Sequence, residues 1–287
     1  MIRRADQLLP HLPLLINQLS GRPDSERRLI IARQLEKLPH ALSAAWYAFS
    51  QFIAAQNALV PQGRRHVPFR PLVWTLDPQE HDQMSFFLDS FLDAARRTQN
   101  AVIPYLAQAL SLSLPKSLSD LVKKLEAGKT CLPEEVKSLL IGYWVTNGRR
   151  LKDYRDLAQH YTLVASDARL FTTPEGIPML YLALPNNPEV RSLQTLRYTD
   201  PTVHAYPYMR SEFYALLGFC HSLTKTLMTR EPPKSERTHL IVFTPAIRLG
   251  QGVAPEGHEI PTPQEIEADL DEFLVGLREE KSDDKAS

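Results

Sequence analysis

The sequence is short of the residues that mark several familiar classes of protein. Two cysteines in 287 residues, Cys131 and Cys220, are too few for a disulfide scaffold and too few for a structural zinc site. Eleven glycines against 23 prolines argue against the repeated turns of a sandwich and against flexible linkers. Net charge is absent, since 33 Lys and Arg balance 33 Asp and Glu, which excludes a polybasic nucleic-acid coat and an acidic solvating chain. No apolar run approaches the ~18 residues of a membrane span. The best stretch, Leu8 to Leu19, is broken by Pro10, His11, Pro13, Asn17 and Gln18. Met1-Ile2-Arg3-Arg4-Ala5-Asp6 has no apolar signal core behind it, so a cytoplasmic protein without a membrane partner is expected.

Several catalytic signatures are missing as well. There is no glycine-rich phosphate loop, no Gly-x-Ser-x-Gly nucleophile turn and no Glu-x-x-His pair of a carboxylate-bridged di-iron bundle. Glu80, His81 and Asp82 are adjacent, but neighbours on a helix point about 100° apart and do not converge on one ion. Neither a metal nor a cofactor is expected. Cys220-His221 reads as one buried and one surface residue.

What is present is helix. From Ser25 to about Leu59, apolar residues such as Leu35, Leu38, Leu42, Trp46, Phe49 and Phe52 follow the 3.6 period, with a kink expected at Pro39. A polar loop is expected from Gln62 to about Leu76. Asp77-Pro78-Gln79-Glu80 carries a helix start, with Asp as N-cap, Pro in the first turn and Glu three residues on. That helix is expected to turn Phe86, Phe87, Phe91, Leu92 and Ala95 inward and to leave Arg96-Arg97 on a solvated face. A short amphipathic piece, Leu114 to Ala127, closes at Gly128. Pro133-Glu134-Glu135 opens a helix running through Tyr143, Trp144 and Leu151 to Leu157.

After His160 the pattern changes. Tyr161–Phe171 and Ile177–Leu184 flank Thr172-Thr173-Pro174-Glu175-Gly176, a strand–turn–strand signal. Ser211 to Met228 returns to helix, and Leu240–Phe243 is a candidate strand. The expected fold is mainly α, an antiparallel helical bundle with an inserted β-hairpin at about 161–184. Residues 1–260 form one domain in this reading. Residues 261–287 form an acidic helix and tail, with nine acids and three bases from Gln264 onward.

One segment concentrates chemistry: Gly148-Arg149-Arg150-Leu151-Lys152-Asp153-Tyr154-Arg155-Asp156-Leu157-Ala158-Gln159-His160. Its bases complement the negative C-terminal pole of a helix. Within it, Arg155 supplies a fork for a phosphate and His160 an imidazole that moves protons near neutrality. Metal-free RNA cleavage needs both kinds of group. Arg155 and His160 are five residues apart, about 140° around an ideal helix. They converge if the helix loosens near Gln159 or if a second subunit contributes.

Arg155-Asp156-x-x-x-His160 resembles the signature of the HEPN superfamily: Arg, then Asn, Asp or His, then three residues, then His. The resemblance covers these six residues and their helical context. It implies an antiparallel helical bundle, often a homodimer with the two motifs facing across the interface. It also implies a metal-independent endoribonuclease or RNA-binding protein, frequently of toxin or defence type with a protein antitoxin. On that basis Arg155 orients the scissile phosphate, His160 is the general acid/base and Asp156 steers the site. Arg149, Arg150 and Lys152 would then be nucleic-acid contacts.

Two other classes compete. A non-catalytic interaction or scaffold protein would use the hairpin and the aromatics Tyr198, Tyr206, Tyr208, Phe213 and Tyr214 as a partner surface. A small-molecule hydrolase would use a carboxylate pair such as Asp89 and Asp93, which share a helix face. Arg155 and His160 converging in a basic groove would favour RNA; an Arg155 held against a carboxylate would favour the interaction protein.

Overall fold

The computed structural model describes residues 5–20, 26–64, 73–160, 164–165, 168–172, 178–190, 192–198, 203–228, 258–259, 265–266 and 268–275. These are mainly helical: α1 (Ala5–Leu8), α2 (Leu12–Ser20), α3 (Glu26–Leu35), α4 (Lys37–Arg64), α5 (Pro78–Leu110), α6 (Leu118–Glu126), α7 (Glu134–Tyr143), α8 (Arg149–His160) and α9 (Ala205–Met228). The candidate strand at Leu240–Phe243 and the last residues of the acidic tail lie outside the described residues. Among the described residues no helix is long and apolar enough to cross a membrane.

Local chemistry sets most of the boundaries. Asp77 accepts from the Glu80 amide at 2.9 Å, and the Asp77 amide donates to the Glu80 carboxylate at 3.2 Å. This capping box, with Pro78 in the first turn, opens the 33-residue α5. Ser117 caps α6 by accepting from the Asp120 amide at 3.1 Å, and Gly128 leaves that helix with φ of +64°, a conformation open to glycine at little cost.

Pro39 does not kink a single helix. The chain breaks one turn earlier, at Glu36, so Pro39 sits in the first turn of α4, where its missing donor is not needed. Gln62-Gly63-Arg64 is not a loop but the last turn of α4. Phe86 is exposed and Phe87 half-buried, whereas Phe91, Leu92 and Ala95 are buried. Helix α9 starts at Ala205, six residues before the expected start, with Pro207 in its first turn.

Helix α4 packs extensively along α5, and α5 also packs on α8 and α9. Their common core is aromatic. Trp46 and Phe49 from α4 stack on Phe213 and Tyr206 from α9 at centroid distances of 4.7 and 5.8 Å, and Phe91 of α5 closes on Phe49 at 6.2 Å. Burying such rings contributes about 2–3 kcal/mol each. Tyr206 and Phe213 are therefore core residues, not members of an exposed partner surface.

Strands β1 (Val73–Thr75), β2 (Ala168–Thr172), β3 (Pro178–Leu182) and β4 (His258–Glu259) pair antiparallel in that order. In the β2–β3 ladder Leu170 faces Leu180 and Ala168 faces Leu182. All four side chains are buried, on the side of the sheet where α4 packs against β2 and β3. The helical residues 268–275 return to α9: Arg210 and Asp269 form a close fork of 2.6–3.1 Å, and Tyr214 donates to the same carboxylate at 2.9 Å.

Candidate functional site

Helices α7 and α8 are one rod joined by a π-helical turn, Trp144–Gly148, in which the Arg149 amide donates to the Trp144 carbonyl five residues back. The wider turn shifts the apolar stripe so that Val136, Leu140 and Tyr143 before it and Leu151, Tyr154 and Leu157 after it are all buried. Such turns recur at functional sites. Gly148 is required where the turn meets α5. A Cβ there would stand 2.9 Å from the Tyr143 ring and 3.2 Å from the Gln99 amide nitrogen.

Along α8, Arg149 and Arg150 are exposed. Arg150 lies 5.5 Å over the Tyr154 ring and donates to its hydroxyl at 3.2 Å, while that hydroxyl donates to the Pro185 carbonyl at 2.7 Å. Lys152 is paired with Asp156 at 2.8 Å and Asp153 at 3.2 Å. Burial pulls the Lys152 pKa down, but the hydrogen bonds it donates to these two carboxylates, together with their charge, outweigh it and the net shift is upward. Lys152 is thus largely spoken for by acids.

Arg155 occupies the seam between α8 and α5. Its guanidinium stands 3.6 Å from Asp93 on α5 and 3.5 Å from Asp156. Both separations exceed the ~2.7–2.9 Å of a charge-assisted hydrogen bond. Its Nε is buried and has no hydrogen-bond partner among the described residues. The contrast with the tight fork between Arg210 and Asp269 is direct. Asp93 is shared: Arg97 approaches it at 3.0 Å, and Gln159 donates to it at 3.4 Å.

His160 is the last residue of α8 and is exposed. Because α8 stays α-helical through Gln159 and His160, the expected loosening does not occur, and Arg155 and His160 keep their ~140° separation. The structure brings Arg155, Asp156 and Lys152 together with Asp93, and leaves His160 on a different side of the helix.

Other candidates are redistributed. Asp89 and Asp93 lie on one helix, but Asp93 is engaged by bases, while Asp89 has a buried oxygen with no hydrogen-bond partner among the described residues and its pKa is pushed up to about 6 by burial. Cys220 and His221 are both buried, so the expected surface histidine is interior. Arg96 is not on a solvated face either. It is buried, lies 5.9 Å over the Trp144 ring and donates to Gln99 at 2.8 Å. Among the described residues no group of three His, Cys, Asp or Glu side chains is placed to hold a metal ion.

A polar network that the sequence reading missed runs through the core. Gln99 receives Arg96 and donates to the Tyr143 hydroxyl at 2.9 Å and to the Gly148 carbonyl at 3.2 Å. Tyr143 donates to Glu212 of α9 at 2.8 Å, and Asn147 in the π turn donates to the other oxygen at 3.3 Å. Glu212 is 1% exposed, and burial pushes its carboxyl up to about 7 against the pull of those two donors. A groove of about 750 Å³ opens beside it between α7 and α9, with Tyr143, Asn147, His221 and Lys225 in its wall. The available signal was a lone acid on the apolar stripe of α9, between Met209 and Leu216.

No protein-family model, curated protein or solved structure matches the chain.

Proposed function

We propose that the chain is an HEPN-like protein that binds RNA and cleaves it without a metal. In this reading it is an antiparallel helical bundle carrying the β2–β3 pair as an inserted hairpin. It acts as a homodimer, with Arg155 of one subunit serving the same site as His160 of the other. The observation that carries the reading is the placement of Arg155: a part-buried guanidinium on the same helix as His160, held by Asp93 and Asp156 only at 3.5–3.6 Å. Such a group is positioned in advance for a phosphate and need break no strong bond to take one. The ~140° between Arg155 and His160 on a regular helix is the reason a second subunit is required.

The chemistry follows from those groups. An imidazole takes the proton of the ribose 2′-hydroxyl, and the 2′-oxygen attacks phosphorus. The bond from phosphorus to the 5′-oxygen breaks, and that oxygen receives a proton. The products are a 2′,3′-cyclic phosphate and a 5′-hydroxyl. Arg155 offsets charge developing on the phosphorane, Asp156 holds Arg155 and Lys152 in place, and Arg149 and Arg150 are contacts to the strand.

A second reading, a non-catalytic interaction or scaffold protein, is favoured by two observations: Arg155 and His160 do not converge within one chain, and Asp93, Asp153 and Asp156 stand against Arg97, Lys152 and Arg155. The two part on one experiment, cleavage of a mixed RNA pool in excess chelator by wild type, Arg155→Ala and His160→Ala. Cyclic-phosphate ends produced by wild type and lost in both variants are expected. No cleavage by wild type, or equal cleavage by all three, leaves the interaction protein.

A further inference from the structure

A second groove, beside α5, is lined by basic side chains from three separate segments. Lys37 and His40 come from the start of α4, Arg97 from α5, and Lys116 from the segment between α5 and α6. Among the described residues none that lines it is acidic. Two acids stand outside the lining: Asp93, which pairs with Arg97 at 3.0 Å, and Glu36, in the turn before α4. Among the described residues no carboxylate pairs with Lys37, His40 or Lys116. The first turn of the 28-residue α4 contains no acid.

The floor is made for more than a bare anion. The groove holds about 770 Å³, within the range of small-molecule sites. Ile103, Pro104 and Pro115 give it apolar surface, and Asn100 and Gln108 line it with amides. Asn100 spends its side-chain oxygen on the Leu118 amide at 3.1 Å, which leaves its NH2 as a donor. Pro104 lies inside α5 and has no N–H, so the Asn100 carbonyl lacks its helical donor. Cationic rim, apolar shelf, and amide donors beside an under-used carbonyl are the requirements of a phosphate, a base plane and a base edge.

We propose that this groove binds a nucleotide, its phosphate held by Lys37 and Lys116 and its base laid over Pro104 and Pro115. The nucleotide is either free or one unit of an RNA strand. The site is separate from Arg155 and His160, and it is tested by binding alone, so either proposal can fail without the other.

The experiment titrates the full chain, in chelator, with AMP, with adenosine and with a short fluorescein-labelled single-stranded RNA. Wild type, Lys37→Ala/Lys116→Ala and a surface control, Lys124→Ala, are compared. Both groove lysines are exposed, and matching circular dichroism and melting curves verify folding. Saturable AMP binding that weakens at least roughly tenfold in the double variant, falls between roughly 50 and 200 mM salt and is unchanged in the control is expected. If AMP also displaces the RNA, the site takes a unit of a strand; if AMP binds and RNA does not, the ligand is a free nucleotide. RNA binding without AMP binding, lost in the double variant, also assigns it to the strand. Adenosine binding as tightly as AMP, no saturable binding by AMP or RNA, or a double variant that binds like wild type overturns the proposal.

Discussion

Glu212 allows a quantitative test of the buried network. The carboxyl is held in the interior by two hydrogen bonds, from Tyr143 and Asn147, and its pKa stands at about 7 against an ordinary 4.5. A carboxyl raised in this way holds more protons in the folded chain than in the unfolded chain between those two values. Its contribution to stability is full below about pH 4.5, declines as pH rises and is lost above about pH 7. The gap corresponds to on the order of 3 kcal/mol at ~1.4 kcal/mol per pH unit. Glu212→Gln keeps the shape and an acceptor for Tyr143 without a charge, provided the Asn147 amide turns to offer its oxygen. At pH 8 the variant should therefore be more stable than wild type by about 1–3 kcal/mol, while at pH 5 the two should agree within about 1 kcal/mol. Urea unfolding at both values measures this directly. Equal destabilisation at pH 5 and pH 8 would refute the reasoning, because it would mean that geometry rather than charge is what Glu212 contributes.

Further predictions rest on other contacts. Gly148→Ala places a methyl 2.9 Å from the Tyr143 ring, and since that ring is stacked on Phe219 at 4.3 Å it has little room; a loss of about 1–3 kcal/mol in thermal or chemical unfolding is expected. Asp269→Asn weakens the fork to Arg210; because both side chains are about a third exposed, about 1 kcal/mol or less is at stake, read as easier proteolysis after residue 228. Asp93→Asn removes a carboxylate from both Arg155 and Arg97; if Arg155 meets phosphate, RNA affinity by fluorescence anisotropy rises several-fold in an Arg97→Ala background, where only Arg155 gains, and no change there would detach Arg155 from binding.

Where a structural feature depends on a few adjacent residues, the sequence disclosed it. Asp77, Pro78 and Glu80 announce the start of α5 because a capping box is closed by three neighbours, and Gly128 marks the end of α6 for an equally local reason. Pro39 misled because proline is compatible with both a kink and a first turn, and only the break at Glu36 decides between them. Phe86 and Arg96 exchanged their expected places for a tertiary reason. Phe86 falls on the open face of α5, whereas Arg96 finds Gln99 and the Trp144 ring inside.

The candidate site was legible to a different depth. The linear order of Arg155, Asp156 and His160 is visible in the sequence, and so is the 140° between the first and last. Asp93 as the partner of Arg155 was not visible, since it lies 62 residues earlier on another helix. The π turn is a change of hydrogen-bond register with no residue signature apart from Gly148. Glu212 was passed over because an acid within an amphipathic helix is ordinarily assigned to its polar face, although Met209 and Leu216 put this one on the apolar stripe.

The central claim, that Arg155 and His160 of two subunits make one site, is tested most directly by mixing two inactive variants. Arg155→Ala and His160→Ala are purified separately, then unfolded and refolded together in chelator, and cyclic-phosphate ends are counted. Random reassociation makes half the dimers mixed, and each mixed dimer holds one intact site of its two, so about a quarter of the wild-type activity should return. A mixture as inactive as its parents, prepared beside a wild-type sample that refolds to full activity, would contradict the shared site.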